Sequence, residues 1–505
     1  MAQIPDDSAP AVVVKHKALL TIAIMLATVM QVLDTTIANV ALPHMSAALG
    51  AAQHEITWVL TSYIVAAAIA TPVTGWMSDR IGQKLLFLLA VGGFTLASAL
   101  CGIATSLPEM VAFRILQGLC GAMIAPLAQT VILNINPKER VSQAMAIYGM
   151  GVMVAPIVGP TLGGWLTESV NWRWVFLVNV PVGILCIALL LVYMPNSDKR
   201  NRRFDFFGFA MLALGIGALQ LMLDRGSDNN WFESTETWIE LGLVISGLWV
   251  YLVHSMTAES PFVDLRIFRD RNFALAAVFM FLIGMTMFSA LALLPPLMQS
   301  YLGYPVMASG TLMAPRGIAS MVSMLIVSRI SHRVDGRAMM LFGAVVMSWS
   351  LYMMTGFNLQ MDSNLIVVTG VLQGFGMGFI FVPLSAMAFS TLSTQLRGDG
   401  TSMYALMRNM GQGIGVSMVS AVLVHMTQAN HAELAERLTS TSGAVHAYLP
   451  GLLSGSSSAV QTANSLVTQQ AAMLGYIDDF LLMSVLSALS IPLILLLRKP
   501  KKSAA

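Results

Sequence analysis

Three side chains able to do chemistry stand inside uncharged apolar runs. Asp34 lies in Met30-Gln31-Val32-Leu33-Asp34-Thr35-Thr36-Ile37-Ala38-Asn39-Val40-Ala41-Leu42-Pro43, and Arg114 and Gln117 lie in Arg114-Ile115-Leu116-Gln117-Gly118. A carboxyl at the centre of a bilayer costs about 2.5–3.5 kcal/mol on insertion scales, so it has to face water or a partner. Such a group can carry a proton, and a neighbouring arginine competes with that proton for the carboxylate. Two plainer roles fit the same residues: a neutral, hydrogen-bonded Asp34 that only packs, and an Arg114 that snorkels to the membrane surface. Further intramembrane cations, Arg316 and Arg408, are not separable by sequence from helix anchors.

Other chemistries find no support. The eight His are scattered without an HExxH pair, and Cys101, Cys120 and Cys186 sit in apolar stretches without a CxxC, so neither a metal site nor a disulfide is expected. The glycine clusters at Gly374-Phe375-Gly376-Met377-Gly378 and Gly411-Gln412-Gly413-Ile414-Gly415 follow no strand, which argues against a dinucleotide fingerprint. No GxxxxGK[ST] occurs, so the chain carries no ATPase signature. No cofactor is expected, and a net charge of +2 gives no reason to invoke nucleic acid.

The elements that hold these residues are membrane spans. With 56% apolar and only 10% charged residues in 505, the chain is not an ordinary soluble domain. Crossing about 30 Å of hydrocarbon takes roughly 20 apolar helical residues. Runs of that kind fall near 18–43, 56–78, 85–105, 109–133, 142–166, 174–194, 205–223, 238–257, 273–297, 309–328, 338–357, 364–390, 400–425 and 477–497. An all-α polytopic membrane protein of about fourteen spans follows. The first run is too long for a signal-peptide core and lacks a small-residue cleavage site, so it is expected to remain. If both ends are cytoplasmic, only Arg173, Arg225 and Arg437 fall in outer loops and only Arg114, Arg316 and Arg408 in spans. All other basic residues then lie inside, as the positive-inside rule requires. The run Lys199, Arg200, Arg202, Arg203 reads as a topology anchor.

The chain also repeats itself. The turn Gly75-Trp-Met-Ser-Asp79-Arg80-Ile-Gly82-Gln83-Lys84 is answered 253 residues on by Ser328-Arg-Ile-Ser-His332-Arg333-Val-Asp335-Gly336-Arg337. Leu116-Gln117-Gly118 is answered 256 residues on by Leu372-Gln373-Gly374, and Ala155 and Gly159 by Gly411 and Gly415. Two six-helix halves separated by two extra helices account for these offsets. The position answering Asp34, near Met287, has no acid. In the fifth span Gly151, Ala155, Gly159 and Gly163 recur every four residues, with Pro156 and Pro160 interleaved and Gly164 following. This pattern presents a small-residue face for close helix contact. Arg114 and Asp34 differ in depth by only ~6 Å at 1.5 Å per residue, within reach of an arginine side chain if their helices are neighbours.

Gly75 to Lys84 resembles the G-x-x-x-D-R-x-G-x-K signature loop of the major facilitator superfamily, and the degraded copy at 328–337 resembles its second-half counterpart. Leu33-Asp34-x-Thr36-Ile37-x-Asn39-Val40-Ala41-Leu42-Pro43, Arg114-x-x-Gln117-Gly118 and the stretch Ala155 to Gly164 are similar to motifs of its fourteen-span drug:proton antiporter branch. Two departures stand out: Gln83 where arginine is usual and Cys120 where glycine is common. The resemblance implies a major facilitator fold. Its parts are a cytoplasmic segment 1–17, an N-terminal bundle 18–195, two central helices 205–257, a C-terminal bundle 273–497 with an outer loop 426–475, and a basic tail 498–505.

It further implies a proton-coupled exporter of hydrophobic or amphipathic compounds in a bacterial inner membrane, working with a periplasmic adaptor and an outer-membrane channel. Asp34 and Arg114 would couple protons, and Gly75, Asp79, Arg80, Gly82 and Lys84 would form a gating loop. Gly159, Pro160, Gly163 and Gly164 would form the antiporter motif. Gln31, Asn39, Gln117, Gln129, Gln373 and Arg408 are candidates for the substrate cavity. An exporter of one metabolite or fatty acid on the same fold is the alternative, and an embedded enzyme or channel lacks a visible catalytic cluster or polar stripe. The outer loop, with Ala432–Leu438 and Ala459–Leu474 as short helices, reads either as a docking surface or as a linker. Reporter fusions in a Gram-negative host test the topology: alkaline phosphatase joined after residue 450 should be active and after residue 498 inactive. The reverse pattern would invert the assignment.

Overall fold

A computed structural model describes residues 12, 14–52, 55–137, 140–197, 199–226, 229–437 and 457–498. Among these residues the regular elements are helices, joined by short turns. Helices are α1 (Lys17–Leu49), α2 (Trp58–Ala70), α3 (Val73–Ile81), α4 (Gln83–Ile103), α5 (Leu107–Gly121), α6 (Ile124–Ile135), α7 (Val141–Ser169), α8 (Trp174–Leu177) and α9 (Asn179–Tyr193). The chain continues with α10 (Phe206–Arg225), α11 (Thr235–Thr257), α12 (Arg271–Pro296), α13 (Val306–Ile330), α14 (Gly336–Met354), α15 (Ser363–Ser390), α16 (Arg397–Glu436), α17 (Ser457–Leu489) and α18 (Ile491–Leu496). Thirteen helical runs are long and apolar enough to cross a bilayer, and α2 with α3, bent by 58°, makes a fourteenth. The bend falls at Pro72, which has no N–H to continue the ladder.

The outer loop is more helical than its hydropathy suggests. The span expected at 400–425 continues to Glu436, and the last one, expected from 477, begins twenty residues earlier at Ser457. The two short helices expected in the loop are therefore continuations of spans. Hydropathy marks only where a helix meets lipid, whereas the Ala, Gln and Glu residues beyond it keep good helix propensity. The two extensions lie side by side, with Gly475 against Leu423 and Thr427, and His431 Nε2 3.0 Å from Asn464 Oδ1. The loop tip at 438–456, the N-terminal residues 1–11 and the tail from 499 lie outside the described residues.

Small residues set the distances between helices, as their spacing predicts. A Cβ at Gly159 would overlap Thr36 Oγ1, and one at Gly163 would lie 3.3 Å from the Ile37 backbone, so α7 packs directly on α1. Gly164 points into open space and is not part of that contact. In the second half, a Cβ at Gly415 would lie 2.8 Å from Ser289 Oγ, and one at Gly411 would overlap the Phe281 carbonyl, so α16 packs on α12 in the same way. Gly159 with Thr36 and Gly415 with Ser289 are equivalent pairs at the repeat offsets of 256 and 253.

Two seams join the halves. Along one, α7 meets α13, where Gly310 faces Pro160 and Gly317 accommodates Ile157. Along the other, α10 lies between α2 and α16: Thr61 Oγ1 donates to Asp224 Oδ2, and Ser417 Oγ donates to the Leu223 carbonyl. The central pair α10 and α11 closes on itself through Gly215 and Gly247, whose backbones touch.

Because rigid backbone faces Gly411, Gly411→Leu should lower stability by about 1–3 kcal/mol through overpacking. Gly164→Ala, at an open position, should leave it unchanged. Thermal unfolding of the purified variants in detergent checks the contrast, and equal melting temperatures would refute it.

Candidate proton and substrate site

Asp34 and Arg114 meet. Arg114 Nη1 donates to Asp34 Oδ2 at 2.6 Å, and neither side chain has any exposed surface. The site is built from five helices. Asp34 is on α1, midway between the ends that Lys17 and Gly50 define, and Arg114 and Gln117 are one turn apart on α5. Gln117 Nε2 and Asn179 Nδ2, the latter at the start of α9, each donate to Asp34 Oδ1 at 2.8 Å. Ser98 on α4 accepts from both amides, at 3.0 and 2.9 Å, and donates to the Phe176 carbonyl.

The arginine is held independently of the acid. Its Nε donates to the Val59 carbonyl at 2.9 Å, Nη1 also reaches Gln117 Oε1 at 2.7 Å, and the guanidinium lies 4.3 Å above the Tyr63 ring. The second terminal nitrogen, Nη2, is buried without a partner among the described residues. Arg114 does not snorkel, and the aqueous path that a proton carrier needs does not reach Asp34 in this conformation. The guanidinium neutralises the buried carboxylate, and the amides of Gln117 and Asn179 complete its hydrogen bonds.

Gly75 to Lys84 lies at the end of the bundle where the basic loops collect. Asp79 pairs with Arg202 and not with Arg80: Arg202 Nη1 is 3.4 Å from Asp79 Oδ2 and 2.9 Å from Asp399 Oδ2. Arg80 instead donates to Asn201 Oδ1, and Lys84 Nζ to the Leu191 carbonyl at 2.8 Å. Gly82 has φ +92°, a conformation that L side chains rarely adopt, and this lets the chain reverse between α3 and α4. Gly75 is covered by Asp399, whose carboxylate would overlap a Cβ there. Arg397 adds contacts to the Leu133 carbonyl and Asn134 Oδ1, and Thr130 and Thr401 hydroxyls are 2.6 Å apart. These contacts run from α3 and α6 to α16 and lock the two halves together at the basic end. Arg202, read from sequence as a topology anchor, bridges both of them.

The remaining candidates are dispersed. Gln117 belongs to the Asp34 cluster. Gln31 is half-buried one turn before Asp34, whereas Asn39 is exposed further along α1. Gln129 on α6 and Gln373 on α15 are 1% exposed with unpartnered amide oxygens, and Arg408 on α16 reaches only its neighbour Asn409, at 3.4 Å. They line no single hydrogen-bonded site with Asp34.

A profile of the Major Facilitator Superfamily matches residues 24–416. The chain belongs to this superfamily. The chain is 35% identical to the fatty acid resistance protein FarB of Neisseria gonorrhoeae over 95% of its length and 96% of FarB. It is also 35% identical to the multidrug export protein EmrB of Escherichia coli K12, over 91% of this chain and 90% of EmrB. The proton:xylose symporter XylE superposes with a TM-score of 0.58 at 13% identity, covering 93% of this chain and 94% of XylE, and shares the fold. The protein is thus a multi-pass membrane protein with a superfamily transporter fold.

Sequence reasoning missed Asn179, Ser98 and Asp399. Asn179 follows the break between α8 and α9 and Ser98 is one of many hydroxyls in apolar helices, so neither carries a spacing signal. Asp399, in Arg397-Gly398-Asp399-Gly400, did carry one: an acid between glycines at the start of a span.

Removing one partner of a buried pair leaves the other charge uncompensated, at a cost of about 3–5 kcal/mol. Arg114→Gln should therefore destabilise the fold more than Arg114→Gln combined with Asp34→Asn. Thermal unfolding of both variants and of Asp34→Asn alone completes the cycle, and additive effects would show that the pair is not coupled.

Proposed function

We propose that this protein exports hydrophobic and amphipathic toxic compounds across a bacterial inner membrane in exchange for protons. Support for export comes from the 35% identity to EmrB, named a multidrug export protein, across nearly all of both chains. Support for proton coupling comes from one observation, a fully buried carboxylate on α1 whose cation on α5 is held by other partners as well.

In the mechanism we infer, a proton reaching Asp34 abolishes its attraction for Arg114. Arg114 stays in place through Val59, Gln117 and Tyr63, and α1 is then held at Asp34 only by the weaker hydrogen bonds from Gln117 and Asn179. Helix α1 is seated on α7 through Thr36 and Gly159, and α7 is seated on α13 of the other half through Ile157 and Gly317. Movement at Asp34 is thus passed across the interface between the halves by side chains seated directly on glycines. Since Asp34 is sealed in the conformation described, water reaches it only after α1 and α5 separate. The basic end, read as cytoplasmic, is closed by the Asp79–Arg202–Asp399 bridge and by Arg397. Opening it to load cargo requires those contacts to break, which is the gating role proposed for Gly75, Asp79, Arg80, Gly82 and Lys84. The Gly159, Pro160, Gly163 stretch keeps α7 close to α1 and α13 at once. A tripartite arrangement, with a periplasmic adaptor and an outer-membrane channel, fits the paired helical extensions of α16 and α17 as a docking platform.

Asp34→Asn has no titratable carboxyl and should abolish efflux driven by a pH gradient in reconstituted vesicles, measured below its lowered melting temperature and at wild-type amounts of folded protein. Efflux at the wild-type rate would remove Asp34 from the coupling step.

A further inference from the structure

The second half contains the mirror of the Asp34 site with its acid removed. Position by position, Asp34, Tyr63, Arg114 and Gln117 correspond, at the repeat offsets of 253 and 256, to Met287, Arg316, Gly370 and Gln373. The backbone shows the correspondence is physical. A Cβ on Gly118 would lie 2.5 Å from the Tyr63 carbonyl oxygen, and one on its counterpart Gly374 would overlap the Arg316 carbonyl oxygen. The arginine has therefore changed walls. In the first half it comes from α5 and covers the tyrosine of α2; in the second it occupies the tyrosine's position on α13, and Gly370 leaves room for it on α15.

What the cation finds there is different. Arg114 meets a carboxylate, whereas Arg316 reaches only the Met287 carbonyl, at 3.3 Å. Among the described residues its Nη1 is buried with no partner, and the side chain is 8% exposed. Gln373, on the face of α15 that carries Gly370 and Gly374, is 1% exposed, and both its Nε2 and Oε1 are unpartnered. A buried guanidinium and a buried amide without partners are costly in an apolar bundle. The first half shows what such a set holds: Arg114 takes one oxygen of a carboxylate and Gln117 the other, at 2.6 and 2.8 Å.

We propose that Arg316 and Gln373 form a binding site for the carboxylate head of an amphipathic molecule, the ligand supplying the acid that the first half carries on Asp34. This deepens the exporter reading and rests on it for treating the ligand as cargo. A two-oxygen head would accept from a guanidinium and an amide together, as Asp34 does from Arg114 and Gln117, and the apolar tail would lie among the methionine-rich walls of α12 and α13.

The test compares two probes of equal chain length, dodecanoate and dodecyltrimethylammonium, binding to the full-length protein in neutral-lipid nanodiscs without a proton gradient. Arg316→Gln should weaken dodecanoate at least tenfold and leave the cation within twofold, and Arg316→Lys should keep part of the affinity. Met287→Asp restores an internal acid. It should stabilise the fold and abolish dodecanoate binding while the cation still binds. Equal losses for both probes in Arg316→Gln, or dodecanoate binding undiminished in Met287→Asp, would overturn the proposal. Acetate competing as strongly as dodecanoate would overturn its amphipathic part. Binding is read without transport, so these results stand apart from the fate of Asp34→Asn in efflux.

Discussion

A charge kept inside hydrocarbon constrains everything around it. Asp34 and Arg114 are each too costly to bury alone, and together they fix where five helices meet. The contact does more than cancel charge, because the arginine has a second set of partners and the aspartate has two amides. Each can therefore survive, hydrogen-bonded, when the other is neutralised or drawn away. That property separates an ion pair that can switch from one that merely holds a bundle shut: loss of the attraction leaves two ordered groups behind and no collapsed site.

The rest of the architecture makes such a local event matter. Glycines at four-residue spacing remove the side-chain cushion between α1 and α7, and between α12 and α16, so those pairs move as units. The α7 to α13 seam continues the contact across the halves with Ile157 pressed into Gly317. At the basic end the halves are held by polar groups, Arg202 between two aspartates and Arg397 on Asn134, contacts that water can take over once the end opens. Close-packed seams that do not yield and a polar clasp that does are the mechanical ingredients of rocking between two orientations.

Much of this was legible in the residues. Span number, the two-fold repeat and the pairing of Asp34 with Arg114 all follow from properties that hydrophobic patterning exposes: depth, period and rarity of charge. Partner choice at the basic end was not legible. Asp79 has Arg80 beside it in sequence but takes Arg202, because helix geometry directs adjacent residues to different faces, and only the path of the loop after α9 brings Arg202 close. Asn179 and Ser98 escaped for a related reason: their contribution is to complete a shell, and a shell is defined by chain packing that no local pattern records. The ends of α16 and α17 were misjudged because hydropathy reports lipid contact and is blind to helices that run on into water.

The repeat gives two sites with the same backbone approach, as the Gly118 and Gly374 contacts show. Only the first site keeps its acid; in the second, among the described residues, the guanidinium reaches one carbonyl and the amide has no partner. Retaining Arg316 without an internal counter-charge is the more expensive choice for stability alone, since Met287 could have been accompanied by an apolar residue on α13. An unpaired buried guanidinium is tolerable when an anion visits it. Under the two proposals the halves divide the chemistry: Asp34 takes the proton, and Arg316 takes a counter-charge from outside the chain. On that division, proton and cargo act on different halves, and the close-packed α7 to α13 seam is the part through which each half senses the state of the other.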